Sequence, residues 1–374
     1  MTTISGIYVC SAPHNHANSG CYTDTNVKGV FLTVDMADIT PTQGTTDFTT
    51  LNQALDDVFN VRPDARLMVG VDTGFQSRPS WVLSLSDAIT VTVDVPPGYH
   101  AGGAAPTLVP APWTAGYVSA VNAANQALHD GLVAYTNTIN PSVNALAQVD
   151  AIQINLFSHY DNEMLIPFEG GSHAIAVSNS QIWANSVVSG GAGYRPSVLL
   201  DISGGVANAT GAFHDYFEQL VSIFGTNVYY NLATFDSAGG NEFPWVDNSG
   251  NVLTNGNPQS IIYPFFQYMA HKVGTKAMYY FVSLAETEPL NGLNIIAQNY
   301  GMTFGTQFVT GNNQDWPPSN AAMVNAAITG IEGGSLIIQP HWYQVPNWPV
   351  GIAKVAQLLR TRATRPHHNF TFLG

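Results

Sequence analysis

Acidic side chains recur where apolar runs of this sequence stop. Asp35, Asp72, Glu163, Asp201, Asp236 and the pair Glu286 and Glu288 each stand at, or a few residues beyond, a stretch with the composition of a buried strand. Two carboxyl groups set across one bond can hydrolyse a glycosidic linkage: one protonates the leaving oxygen while the other attacks or activates water. Acids are scarce in this chain, 25 Asp and Glu in 374 residues, so their clustering after strands is the strongest chemical pattern present. The bland alternative for each is a solvated loop residue or a helix N-cap. Glu163 stands out because its polar loop follows a short apolar run, with Asn162 before it and His159 in the same loop.

Aromatic residues form the second pattern. Trp81, Trp245, Trp316 and Trp342 lie beside Pro or polar residues in expected loops, where a flat indole could stack on a sugar ring. Ordinary packing of indoles under loops is the competing reading. Histidines form the third. His14 and His16 flank Asn15 after the first apolar run, an arrangement similar to that of metal-dependent amidohydrolases. The later stretches 199–202 and 230–232 supply no further ligands. The sequence has no Cys-x-x-Cys or His-Glu-x-x-His and no Gly-x-Ser-x-Gly. No dinucleotide-binding glycine fingerprint follows its first strand. Neither a metal nor a cofactor is therefore expected.

Such residues need a scaffold that brings many strand ends to one face. Short apolar runs at 4–10, 29–34, 66–71, 151–157, 197–202, 227–233, 276–282, 302–309 and 335–339 read as strands, several of them buried on both faces. Between them lie stretches of helical spacing at 48–59, 114–138, 178–188, 213–224, 261–273, 290–299, 320–328 and 350–359. This alternation predicts a parallel α/β sheet, and the fold class expected is a single (β/α)8 barrel spanning 1–374. Two excursions break the rhythm, at about 73–113, with a period-two stretch at 89–95, and at about 236–258. Nine strand candidates are one too many for a barrel. Either 4–10 or 335–339 is peripheral, or one inner assignment is wrong.

Residues 29–81 resemble the opening of clan A glycoside hydrolases, the retaining (β/α)8 enzymes. The likeness runs through the strand GVFLTVD, the loop from Pro41 to Gly44, a helix opened by Asp47 and Phe48, the strand LMVGVD, and Pro79-Ser80-Trp81. Asn162-Glu163 is similar to the Asn-Glu pair at that family's fourth strand. The resemblance implies a carbohydrate substrate, Glu163 as general acid/base, and Asn162 on a sugar hydroxyl; Asp35 and His159 are separate candidates for lining the substrate. In the family the nucleophile ends the seventh strand. If the stretch 4–10 is the first strand, 276–282 becomes the seventh and Glu286, or Glu288 in reserve, the nucleophile. Counting from Gly29 instead makes 302–309 the seventh and puts Gln307 where a carboxylate is needed. The first register is preferred because it sets Glu163 on the fourth strand; Asp236 and Glu242 are other possible partners. The chain departs from the family in the four residues 158–161 that separate the strand from Asn162.

Composition narrows the partners. A net charge of −14 with only 11 Lys and Arg gives a phosphate backbone little to bind, so nucleic acid is not expected. No apolar stretch is long enough to span a membrane. The first ten residues do not read as a signal peptide. Scarce lysine and abundant Asn, Thr, Ser and Gly nonetheless lean towards an extracellular or particle-associated protein. The spacing of Cys10 and Cys21 permits a short disulfide clip or two separate thiols, and self-association is left open.

Overall fold

The computed structural model describes residues 4–11, 20–74, 77–88, 90–94, 106–110, 114–156, 212–234, 245–246, 252–253, 262–284, 293–308 and 319–363. Eight parallel strands close into a barrel. They are β1 (Gly6–Ser11), β2 (Val27–Asp35), β3 (Arg66–Asp72), β4 (Val149–Gln153), β5 (Tyr229–Thr234), β6 (Ala277–Leu284), β7 (Thr303–Phe308) and β8 (Ile337–Gln339). The ring is completed where β8 lies beside β1, with Gly6 opposite Ile337 and Ile7 opposite Ile338.

The apolar runs are continuous because both faces of each strand are covered. Val30, Leu32, Val34, Leu67, Val69, Val71, Leu232, Phe281 and Phe304 point outward into one core beneath the helices. Tyr8, Phe31, Met68, Ala151, Tyr229, Met278, Tyr280 and Ile337 fill the lumen. The outer layer comprises α1 (Met36–Ile39), α2 (Thr49–Phe59), α3 (Ala115–Ala134), α4 (Ala212–Phe224), α5 (Ile262–Val273), α6 (Leu293–Asn299), α7 (Asn320–Glu332), α8 (Gln344–Asn347) and α9 (Pro349–Ala363). The spacing of Leu51, Leu55, Val58 and Phe59 gives α2 one buried face. The Thr114 hydroxyl caps α3 by accepting from the Tyr117 N–H at 3.3 Å.

The surplus strand candidate is an inner one. β4 pairs directly with β5 through Ala151 and Tyr229, Ile152 and Tyr230, and Gln153 and Asn231. No strand stands between them, and 197–202 and the helix expected at 178–188 lie outside the described residues. Both chain-terminal candidates, by contrast, belong to the wall. A short apolar run has the same periodicity in or out of a sheet, so only closure of the ring settles the count. One expectation changes with it. β4 is the fourth strand, but 276–282 falls in the sixth, and the seventh is β7, which carries Gln307.

Both excursions carry β-hairpins outside the barrel. Thr90–Asp94 pairs antiparallel with Pro106–Pro110 after β3, so the period-two stretch finds its partner strand within the same excursion. Trp245–Val246 pairs with Val252–Leu253 after β5. At the opposite, N-terminal end of the barrel, the Arg66 guanidinium holds Asp150 through Nε at 3.1 Å and a second nitrogen at 2.6 Å. The Tyr8 hydroxyl donates to the same carboxylate. That face of a barrel serves stability rather than chemistry.

Cys10 and Cys21 are not bridged. Cys10 packs against the lumen cluster, whereas Cys21 is buried in the outer core. The barrel wall separates them, and a disulfide needs its β-carbons about 3.8 Å apart. Among the described residues no helix is long and apolar enough to cross a membrane.

Candidate functional site

The C-terminal mouth of the barrel is where strand ends converge. Glu163, Glu286, Glu288, Asn162, His159 and Trp316 lie outside the described residues. In sequence, Asn162 and Glu163 follow β4, while Glu286 and Glu288 follow β6. Trp245 opens the hairpin after β5. Asp35 closes β2, in register with Asp72 at the end of β3. Neighbouring strands run about 4.8 Å apart, so two carboxyl groups share one edge of the mouth. Asp72 is buried and accepts from the Gly74 N–H at 2.7 Å. Arg78 is buried beside it; burial pulls the guanidinium below its ordinary pKa, while Tyr117 and Asp72 oppose the shift. Asp72 thus anchors the loop after β3, and Asp35 is the more exposed of the two.

Two of the four tryptophans have defined structural contacts. The Trp81 indole donates to the Thr40 carbonyl at 3.0 Å and packs on the outer core. Trp342 packs on the same core, makes an edge contact with Tyr343 at 5.7 Å, and donates its backbone N–H to the Cys10 carbonyl at 3.0 Å. Among the described residues no group of three His, Cys, Asp or Glu side chains could hold a metal ion.

The lumen holds a set of polar residues that sequence reasoning did not single out, except for Gln307. In a tilted eight-stranded barrel, inward side chains stack in layers of four drawn from alternate strands. The register assigns Phe31, Gln153, Tyr280 and Gln339 to one layer, from the even strands. Directly above come Cys10, Gly70, Ala233 and Gln307 from the odd strands, and Asn231 lies just below. Gly70 is required here: a Cβ on it would lie 2.5 Å from the Gln153 Cβ. Gly305 is required likewise, since its Cβ would lie 2.4 Å from the Tyr280 ring. The Asn231 amide donates to Gln153 Oε1 at 2.5 Å. Asn231 Oδ1, the Tyr280 hydroxyl and Gln339 Nε2 are buried without a hydrogen-bond partner among the described residues. A sequence signal for this layer exists in hindsight: an Asn or Gln sits inside or at the end of four of the eight apolar runs.

His341, just past β8, closes the rim. Its Nε2 lies 3.2 Å from both the Gln307 amide and the Phe308 carbonyl. Burial lowers its pKa from 6.5 to about 4, against the opposing pull of the Phe308 carbonyl, so the ring is neutral at pH 7. The unfolded chain takes up this proton below pH 6.5 and the folded chain does not until about pH 4. His341 therefore contributes its full stability above pH 6.5 and loses it as pH falls towards 4. About 2 kcal/mol should disappear over that window, after allowance for partial exposure. Urea unfolding of the wild type and His341→Gln between pH 7 and pH 4.5 checks this; equal pH slopes in the two proteins would refute it.

No family model and no curated protein matches the sequence. Solved structures do match. The catalytic domain of β-amylase from Paenibacillus polymyxa superposes with a TM-score of 0.53 at 9% identity, covering 98% of this chain and all (100%) of that one. Native xylanase 10B from Thermotoga maritima gives 0.47 at 9% identity, covering 96% of each chain. An intracellular xylanase from Thermoanaerobacterium saccharolyticum gives 0.42 at 10% identity, covering 90% of this chain and 84% of that one. At such identity the β-amylase likeness is one of fold: the chain has a (β/α)8 barrel.

Proposed function

From that fold we propose that the protein is a glycosidase acting on a polysaccharide or glycan bound across the C-terminal mouth. The observation that carries the reading is the position of β4. Closure of the ring makes it the fourth strand, and Asn162-Glu163 follows it, as the Asn-Glu pair follows the fourth strand in clan A enzymes. In this reading Glu163 is the general acid/base and Asn162 holds a substrate hydroxyl. Glu286, with Glu288 in reserve, supplies the second carboxylate from the loop after β6. A retaining mechanism requires the two carboxyl groups about 5–5.5 Å apart. The acidic, lysine-poor composition supports a location outside the cell or on a particle.

One observation favours a second reading, a carbohydrate-binding barrel without catalysis: β7 carries the amide Gln307 where the family's seventh strand ends in a nucleophile. Incubation with a panel of soluble glycans separates the two. New reducing ends that increase with time support hydrolysis. Saturable binding with no new reducing ends assigns the protein to the second class.

A further inference from the structure

Three polar groups in the lumen lack partners among the described residues although burial demands them. A buried, unpaired amide or hydroxyl costs about 1–3 kcal/mol, and such groups ordinarily signal a missing partner. Asn231 is 2% exposed, Tyr280 1% and Gln339 1%, and each has an unpartnered atom. The Tyr280 ring leans over Gly305, which turns its hydroxyl towards the β8 and β1 side of the lumen. Gln339 and Cys10 lie there. Burial first, and then the nearby Cys10 thiol, hold the Tyr280 pKa well above its usual value. The same two causes, in that order, raise the pKa of Tyr343.

The next layer is small on three of its four positions, Cys10, Gly70 and Ala233. On the β1 and β8 side Cys10, His341 and Tyr343 are each partly open to solvent. Among the described residues the side chains of these two layers and of the β8 rim are uncharged, being amides, phenols, a thiol, a neutral imidazole and the ring of Phe31, and the carboxylates Asp35 and Asp72 stand further up at the strand ends. It offers donors in Gln339 Nε2 and Tyr280, an acceptor in Asn231 Oδ1, and an apolar aromatic face. Uncharged donors and acceptors beside an aromatic ring suit neutral hydroxyl groups carried on a C–H framework. A carboxylate or phosphate would find no counter-charge among them.

We propose that the lumen pocket entered past Cys10 binds the hydroxyl groups of a neutral sugar, with Tyr280, Gln339 and Asn231 as its floor. This rests on the reading of the mouth as a glycan site, and extends it from the strand ends into the barrel. Cys10 provides a built-in reporter and the buried Cys21 a control. The intact protein is treated with iodoacetamide, and labelling of each cysteine is followed by mass spectrometry. The additions are glucose, xylose, their neutral oligomers, or glucuronate.

Cys10 should label faster than Cys21. A neutral sugar at ten times its Kd should slow Cys10 labelling about tenfold, and glucuronate should not. Gln339→Leu and Tyr280→Phe should each abolish that protection. Tyr280→Phe removes an unpartnered hydroxyl and should fold at least as stably as the wild type, which keeps the test open if Gln339→Leu misfolds. The proposal is overturned if Cys10 resists iodoacetamide in the folded protein, if no neutral sugar protects it, or if protection survives in Tyr280→Phe. Protection without glycan hydrolysis would leave the pocket standing and remove the catalytic reading. Hydrolysis without protection would do the reverse.

Discussion

Alanine at position 29 should destabilise the barrel by about 3 kcal/mol, the upper end of what overpacking a filled core costs. Gly29 faces the lumen on β2. A Cβ there would lie 2.2 Å from the Arg66 carbonyl oxygen and 2.8 Å from the Tyr8 ring. Neither neighbour can yield cheaply. Arg66 is held in register opposite Gly29, and its guanidinium grips Asp150. Tyr8 is tied to the same carboxylate through its hydroxyl. The instructive control is Gly44→Ala. Gly44 has a φ of +81° and nothing within 4 Å of its would-be Cβ, so only the left-handed backbone penalty applies, about 1–2 kcal/mol. Urea unfolding of the two variants measures both costs. If Gly29→Ala lost no more than Gly44→Ala, the close packing between β1, β2 and β3 would be wrong.

The second large effect concerns turnover. Glu163→Gln should lower kcat by about 10²–10⁴ on substrates with poor leaving groups, the range attributed to a positioned general acid, while leaving glycan binding nearly unchanged. Glutamine keeps the shape of the side chain but cannot deliver the proton. Glu286→Gln should abolish turnover on all substrates, including those with good leaving groups, because a nucleophile is needed whatever departs. The strand order makes the partner the sharper question, since Glu286 follows β6 and the seventh strand bears an amide. Glu288→Gln and Asp35→Asn complete the series. If Glu286→Gln and Glu288→Gln keep full activity while Asp35→Asn loses it, the second carboxylate stands on β2 and the assignment after β6 is wrong.

The outer wall of this barrel was legible in sequence because its strands are double-faced. GVFLTVD and RLMVGVD are apolar at nearly every position, and no half-exposed element looks like that. The count was not legible: 197–202 has the same apolar character in sequence as the wall strands, and only the pairing of β4 with β5 shows that eight described strands complete the ring. The lumen was hidden for a related reason. Gln153, Asn231 and Gln339 are amides within or closing apolar runs, and an amide near a strand end reads as a loop residue until the register turns it into the lumen with the others. Trp81, expected in a loop after Pro79 and Ser80, has its N–H held on the Thr40 carbonyl and packs on the outer core while its ring stays partly exposed, a fixed position that its sequence neighbours alone do not reveal.

Closure of the ring through Gly6 and Ile337 also constrains how the molecule is made. A strand near one end of the chain receives its second neighbour only from a strand near the other. During synthesis β1 can pair with β2 within tens of residues, yet its far edge waits until β8 has left the ribosome. Contacts so distant in sequence form slowly, because the chain loses the entropy of a very long loop before any pairing compensates it. Until then an apolar strand edge is open to other chains, the usual route to aggregation of large β-containing proteins. Yield of soluble protein should therefore respond strongly to translation rate, growth temperature and chaperone supply, and deletion of β8 should be far more damaging to solubility than its three residues suggest.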